Sequence, residues 1–119
     1  KLITFKANPS KYLNQCDLFI LTSKYEGLPN VLLEAQYLKK YIISTNCKTG
    51  PKEILKNGKL GDLINIGNYK KLSHNILKYN ANRKKLSIRN KINDAYKETK
   101  RFNYKINCKK YLKLIKKYL

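Results

Sequence analysis

The residue pattern predicts an α/β fold: a Rossmann-like parallel sheet followed by a helical C-terminal tail. Three observations predict it. Short apolar runs of strand length alternate with helix-length segments over the first two thirds of the chain. Two of those runs carry almost no charged residue, as strands covered on both faces of a parallel sheet do. The loops that follow these two runs carry Gly and Pro and lead directly into helix starts. Alternating β and α units of this kind imply one parallel sheet joined by right-handed crossovers.

Taken in order, Leu2–Phe5 reads as a short apolar strand. Asn8-Pro9-Ser10 is a turn that opens a helix to about Gln15, with Tyr12 and Leu13 facing inward. Residues 17–22 form a continuous apolar run, expected as a strand buried on both faces. A loop from Lys24 to Leu28 follows. Pro29 fits the first helical position, because its fixed φ suits a helix and its missing N–H is not needed there. Val31, Leu32, Ala35 and Leu38 then recur at helical spacing, and the helix ends near Lys39-Lys40. Tyr41–Thr45 is the next buried strand. Asn46–Gly50 is a second loop and Pro51 a second helix start, with Glu53 close to the positive end of that helix. Asn57-Gly58 supplies a left-handed stop, and residues 61–66 form a further strand. Three amphipathic segments close the chain. Residues 69–79 carry Leu72, Ile76 and Leu77. Residues 83–99 carry Leu86, Ile88, Ile92 and Ala95. Residues 102–119 carry Ile106, Tyr111, Leu112, Leu114, Ile115 and Tyr118.

Composition limits the classes. At 119 residues the chain is about one domain, and no run approaches the ~18 apolar residues of a membrane span. The first residues lack a signal-peptide pattern, and the absence of a Met suggests a segment of a longer protein. Cys16, Cys47 and Cys108 are dispersed and odd in number, which argues against a disulfide framework or a structural zinc site and for a reducing cytosol. The net charge of +20 admits a nucleic-acid partner, but arginine occurs only at 83, 89 and 101. Base readers favour arginine forks, and no RNA-binding motif is present, so nucleic acid is disfavoured. The excess is uneven: residues 1–62 carry +5 and residues 63–119 carry +15. The tail lysines at 105, 109, 110, 113, 116 and 117 flank an apolar set rather than forming one stripe. They suit either a solvated face or an anionic membrane surface.

Ligands of open parallel sheets bind beyond the carboxyl ends of the strands. Here those ends are the loops 23–29 and 45–51. The stretch Ser23-Lys24-Tyr25-Glu26-Gly27-Leu28-Pro29-Asn30-Val31-Leu32-Leu33-Glu34-Ala35 sets one glutamate in a loop and a second in the next helix, with seven residues between them. Gly27 lets a ligand approach the backbone. The helix start offers unpaired N–H groups and partial positive charge, suited to a diphosphate. Carboxylates only accept hydrogen bonds, and polyol hydroxyls can donate them, so Glu34 suits a ribose and Glu26 a sugar ring.

This segment resembles the E-x7-E motif of family 4 retaining glycosyltransferases of the GT-B fold. Residues 16–23 resemble that family's strand into the motif, and Tyr41–Thr45 the strand after it. Thr49-Gly50-Pro51-Lys52-Glu53-Ile54-Leu55 and Asn57-Gly58-Lys59-Leu60-Gly61-Asp62-Leu63 resemble its closing loop, helix and strand. The resemblance covers residues 1–68 well and the tail vaguely. It implies a partial Rossmann-like nucleotide-sugar-binding domain over residues 1–68 and a C-terminal helical segment of the same domain over residues 69–119. It implies Glu26 as the catalytic carboxylate against the donor sugar and Glu34 on the ribose. Gly27, Leu28, Pro29 and Asn30 would line the diphosphate and sugar of the donor, commonly a UDP-sugar. It also implies sugar transfer with retention, without a bound metal or other cofactor, to a glycan or lipid-linked acceptor. The family's basic pair and its N-terminal acceptor domain would lie outside this chain. The fragment alone is therefore expected to be inactive, and the whole enzyme cytoplasmic or peripheral at the cytosolic face of a membrane. Two other readings stay open: a non-catalytic basic module for nucleic acid, and a domain that binds nucleotide sugars without turnover.

Bland roles stand beside these. Glu34 would otherwise be a solvated helix residue paired with a lysine, and Glu26 a plain loop acid. Glu53 reads as a helix-terminus stabiliser worth about 0.3–1 kcal/mol. His74 reads as a surface or half-buried histidine, and the cysteines as small core or loop residues. By the resemblance, the sheet order 3-2-1-4-5-6 makes strands 17–22, 41–45 and 61–66 neighbours in that order. The strand at 2–5 would stand apart.

Overall fold

A computed structural model describes residues 4–119. The order of elements is α1 (Ser10–Gln15), β1 (Leu18–Leu21), α2 (Asn30–Tyr37), β2 (Tyr41–Thr45), α3 (Pro51–Ile54), β3 (Asp62–Ile64), α4 (Tyr69–Asn82), α5 (Leu86–Glu98), a 3-10 turn (Thr99–Phe102) and α6 (Tyr104–Tyr118). The sheet is parallel with order β1-β2-β3. Leu18 pairs with Tyr41 at one end of the first ladder, and Thr45 with Ile64 at the end of the second. The neighbour order is the one expected. Of the strand expected at 2–5, Leu2 and Ile3 lie outside the described residues. Thr4 and Phe5 belong to no strand, and Phe5 is 92% exposed.

β2 is central, and all five of its residues are buried. β1 departs from the expectation of burial on both faces. Its residues are half-buried and Ile20 is 36% exposed, because among the described residues β1 has a neighbour on one side only. Two apolar layers enclose the sheet. On one face Leu13, Leu32, Ala35, Ile42, Ile54, Leu55 and Ala95 pack together. On the other, Tyr41, Ile43 and Ile64 meet Leu72, Ile76, Ile88 and Ile92 of α4 and α5. Tyr12, Leu77 and Leu86, expected inside, are 42%, 67% and 68% exposed. Leu86 lies on the side of α5 opposite Ile88, Ile92 and Ala95, at about 100° per residue.

The helix ends follow local chemistry. Lys39 takes the left-handed conformation that stops α2 (φ 55°), and after α3 the left-handed run begins one residue earlier than expected, at Lys56 (φ 46°), and continues through Asn57 and Gly58 (φ 55° and 87°). Asn68 caps α4 by accepting the Lys71 N–H at 2.9 Å, and Asn103 caps α6 by accepting that of Ile106 at 3.2 Å. Gln36, fully buried on α2, donates to the Ile54 carbonyl at 3.3 Å and ties α2 to α3. Lys56 meets Glu98 at 2.6 Å, and Arg101 donates to the Glu53 carbonyl at 3.0 Å, which draws the end of α5 beside α3.

At the amino end of the sheet, the Tyr41 hydroxyl donates to Asp62 Oδ1 at 2.9 Å, and Lys91 reaches the same oxygen at 3.4 Å. Burial first, then the bond to and charge of Asp62, push the Tyr41 hydroxyl well above its ordinary value. The fold therefore prefers the protonated phenol. That stabilisation is whole below the unfolded value of about 10 and is lost as pH rises beyond it. Tyr41→Phe should cost about 1 kcal/mol at neutral pH and remove this part of the alkaline loss. Urea unfolding at neutral pH and above pH 10 checks both. An unchanged alkaline slope would show that Tyr41 does not contribute to it.

Candidate functional site

Both β1 and β2 deliver their carboxyl ends to the same edge, so the two loops after them lie side by side. Hydroxyl and thiol groups of the second loop hold carbonyls of the first. Thr45 Oγ1 donates to the Ser23 carbonyl at 2.6 Å, and Cys47 Sγ donates to the same oxygen at 3.1 Å. Thr49 Oγ1 donates to the Glu26 carbonyl at 2.6 Å. Gly50, at φ 86° and ψ −78°, lies flat against the first loop. A Cβ there would fall onto the Gly27 carbonyl oxygen and come within 2.6 Å of Pro29 Cδ. The second loop is thus a brace that fixes the backbone of residues 23–29.

Gly27 differs. Its φ is not left-handed, and a Cβ added there would meet nothing within 4 Å. The fold does not require glycine at this position. What a glycine does provide is open approach to the backbone.

Pro29 is buried and leads α2 with no side-chain cap. The Leu32 N–H turns back to the Pro29 carbonyl at 3.0 Å. Among the described residues, the amides of Asn30 and Val31 donate to no group of the fold. They carry the unsatisfied partial positive charge of a helix start. Leu28 is 47% exposed, and Gly27 and Asn30 are exposed beside it.

Glu26 is half-buried in the loop, and Glu34 is exposed on the second turn of α2. Among the described residues neither makes an ion pair or a side-chain hydrogen bond, although Asp62, Asp94 and Glu98 each meet a cation. Asp17 and Glu53 are likewise unpaired among the described residues, so what sets Glu26 and Glu34 apart is their place, one before the start of α2 and one on its second turn. Among the described residues, Glu34 has no lysine within ion-pair distance, the partner that a solvated residue would be expected to find. Glu34 borders a cleft of about 640 Å³ whose lining includes Leu33, Tyr37, Tyr96, Lys100 and Phe102 and none of residues 23–30. Glu53 lies exposed in the first turn of α3, as its reading as a terminus stabiliser required. His74 is exposed on α4, Cys47 is buried, Cys16 is intermediate and Cys108 is exposed. Among the described residues no three His, Cys, Asp or Glu side chains are grouped to hold a metal.

The sequence reading missed the brace as a device. Thr45 counted only as strand and Cys47 only as a small core residue. The available signal was hydroxyl and thiol side chains at the exit of a buried strand, where carbonyls of a neighbouring loop need donors.

Comparison with known proteins gives the context. Residues 1–99 match the family described as glycosyl transferases group 1. An uncharacterised glycosyltransferase of Methanocaldococcus jannaschii is 48% identical over 54 residues, covering 45% of this chain and 13% of that protein. The N-acetylgalactosamine-N,N'-diacetylbacillosaminyl-diphospho-undecaprenol 4-alpha-N-acetylgalactosaminyltransferase of Campylobacter jejuni is 33% identical over 67 residues, covering 56% and 18%. The chain thus spans less than a fifth of the length of these relatives. The crystal structure of Anabaena HepE in complex with UDP superposes with a TM-score of 0.81 over 97% of this chain and 31% of its own, at 19% identity, which speaks for the fold. The shared fold is mixed α/β, a parallel three-stranded sheet with a helical C-terminal part, and its structural neighbours are GT-B glycosyltransferases. With most of its length matched by the family, the chain belongs to the group 1 glycosyl transferases.

Proposed function

We propose that this chain is the donor-binding part of a retaining glycosyltransferase, one that moves a sugar from a UDP-sugar to a glycan or lipid-linked acceptor. The observation that carries the reading is the braced loop: among the described residues the Asn30 and Val31 amides at the start of α2 donate to no group of the fold, and Glu26 and Glu34, before that start and on the second turn, make no ion pair. The diphosphate sits at that helix start, next to Gly27, Leu28, Pro29 and Asn30. Glu34 accepts from the ribose hydroxyls and Glu26 from the donor sugar. Negative charge growing on the leaving diphosphate is met by backbone amides and by cations of the rest of the enzyme, without a metal. The UDP in the HepE structure and the undecaprenol-linked substrate in the Campylobacter enzyme's name support the donor and acceptor classes. Residues 1–68 hold the donor, and residues 69–119 complete the domain. Transfer itself needs the remainder of the protein, so the chain alone binds the donor without turnover. The enzyme works in the cytoplasm, peripherally at a membrane; among the described residues no helix is long and apolar enough to cross one.

The test is ligand stabilisation. UDP at ten times its dissociation constant should stabilise the chain by about 1.4 kcal/mol, read as a rise in melting temperature. Single-stranded oligonucleotides at low salt should not reproduce it. Stabilisation by oligonucleotide with none by any nucleoside diphosphate would replace this reading with the nucleic-acid one.

A further inference from the structure

One aromatic side chain of the braced loop takes no part in the packing of the described residues. Tyr25 is 89% exposed, more than any other tyrosine among them, and its ring stacks on no other. The other exposed tyrosines all lie on helices. Tyr25 lies instead in a loop whose backbone is held on both sides of it. Thr45 and Cys47 bind the Ser23 carbonyl, and Thr49 binds the Glu26 carbonyl. A loop held in this way presents its side chains in place, so little freedom is lost when one of them meets a ligand. Tyrosine adds a large contact area with only two rotatable angles.

Position along the chain names the ligand. In the donor reading the loop follows the nucleotide sugar from one end to the other: Glu34 on the ribose, the Asn30 and Val31 amides on the diphosphate, Glu26 on the sugar. Tyr25 continues that order by one residue, about 3.8 Å of chain, past the sugar and away from the nucleotide. The molecule that meets the sugar on that side is the acceptor. We propose that Tyr25 is a specificity-determining residue for the acceptor: its ring is the platform on which the acceptor's saccharide stacks, beside Glu26. The proposal rests on the donor reading and extends it to the second substrate. A pyranose carries C–H groups on its faces, and their weakly positive hydrogens suit the negative face of an aromatic ring. A phosphate or carboxylate gains nothing from that face, so the ring selects a sugar.

The chain contains no tryptophan, so Tyr25→Trp introduces a single reporter and keeps an aromatic face. The probes are the methyl glycosides of glucose, galactose, N-acetylglucosamine and N-acetylgalactosamine, added to the chain saturated with UDP. At least one should change the emission of this variant. UDP-sugars carrying the same sugars, with no glycoside present, should leave it unchanged. Followed by amide NMR, Tyr25→Ala should bind that glycoside about tenfold more weakly than the parent, and Tyr25→Phe should bind it like the parent. UDP affinity should be the same in every variant. In the full-length enzyme Tyr25→Ala should keep the parent's melting temperature. A drop there would show that the rest of the protein covers the ring, and would overturn the proposal. So would emission that responds to a UDP-sugar alone, which places the ring on the donor, or glycoside binding by the alanine variant equal to the parent's. A chain that binds UDP while no glycoside changes the emission overturns the role of Tyr25 and leaves the donor reading standing. A chain that binds no UDP removes both.

Discussion

Gly50→Ala will cripple the domain, whereas Gly27→Ala, in the facing loop, will leave its stability untouched. At φ 86° and ψ −78° Gly50 occupies a conformation that side chains avoid. Its missing Cβ is also the space that the Gly27 carbonyl and Pro29 ring occupy. Backbone strain of about 1–3 kcal/mol adds to overpacking of about 1–3 kcal/mol. The total is a large share of the ~5–15 kcal/mol by which domains are stable. Any relief must come from moving residues 27–29, so donor affinity falls as well. Gly27 carries neither constraint. Alanine there should change stability by less than about 0.5 kcal/mol, yet weaken donor binding by blocking the backbone. Urea unfolding and UDP titration calorimetry on both variants separate the brace from the contact. A Gly50→Ala protein with the parent's urea midpoint would show that the two loops are not locked together as described.

Glu34→Ala is expected to lose UDP affinity by about ten- to a hundredfold, the cost of one charge-assisted hydrogen bond at about 1.5–3 kcal/mol. Glu26→Ala should leave UDP binding nearly unchanged and lower turnover of the full-length enzyme by a similar factor. The difference follows from placement: Glu34 stands on the helix where the nucleoside would lie, and Glu26 in the loop where the sugar would lie. Both substitutions are safe for the fold, because neither side chain makes an ion pair or a side-chain hydrogen bond among the described residues. Calorimetry with UDP, then steady-state kinetics with the UDP-sugar, reads the two separately. If both variants bind and turn over like the parent, the assignment of the two carboxylates fails.

The sequence by itself determined the sheet and the approach to the site. The all-buried β2, the starts of α2 and α3 beside Pro29 and Pro51, and the stop at Asn57-Gly58 were legible because each depends on neighbouring residues alone. Apolar runs, fixed proline φ and left-handed tolerance are properties of a short stretch of chain. The seven-residue interval between Glu26 and Glu34 was legible for the same reason.

Only the tertiary structure decided what depends on distant residues. That Thr45, Cys47 and Thr49 hold carbonyls more than twenty positions away, and that Gly50 rather than Gly27 is sterically required, follows from two loops meeting at one edge of the sheet. Whether Glu34 finds a lysine depends on where every other lysine goes. The half-exposure of β1 was hidden for a further reason. A strand or helix pattern records which side of an element is apolar, whereas burial depends on whether a neighbour is present to cover it.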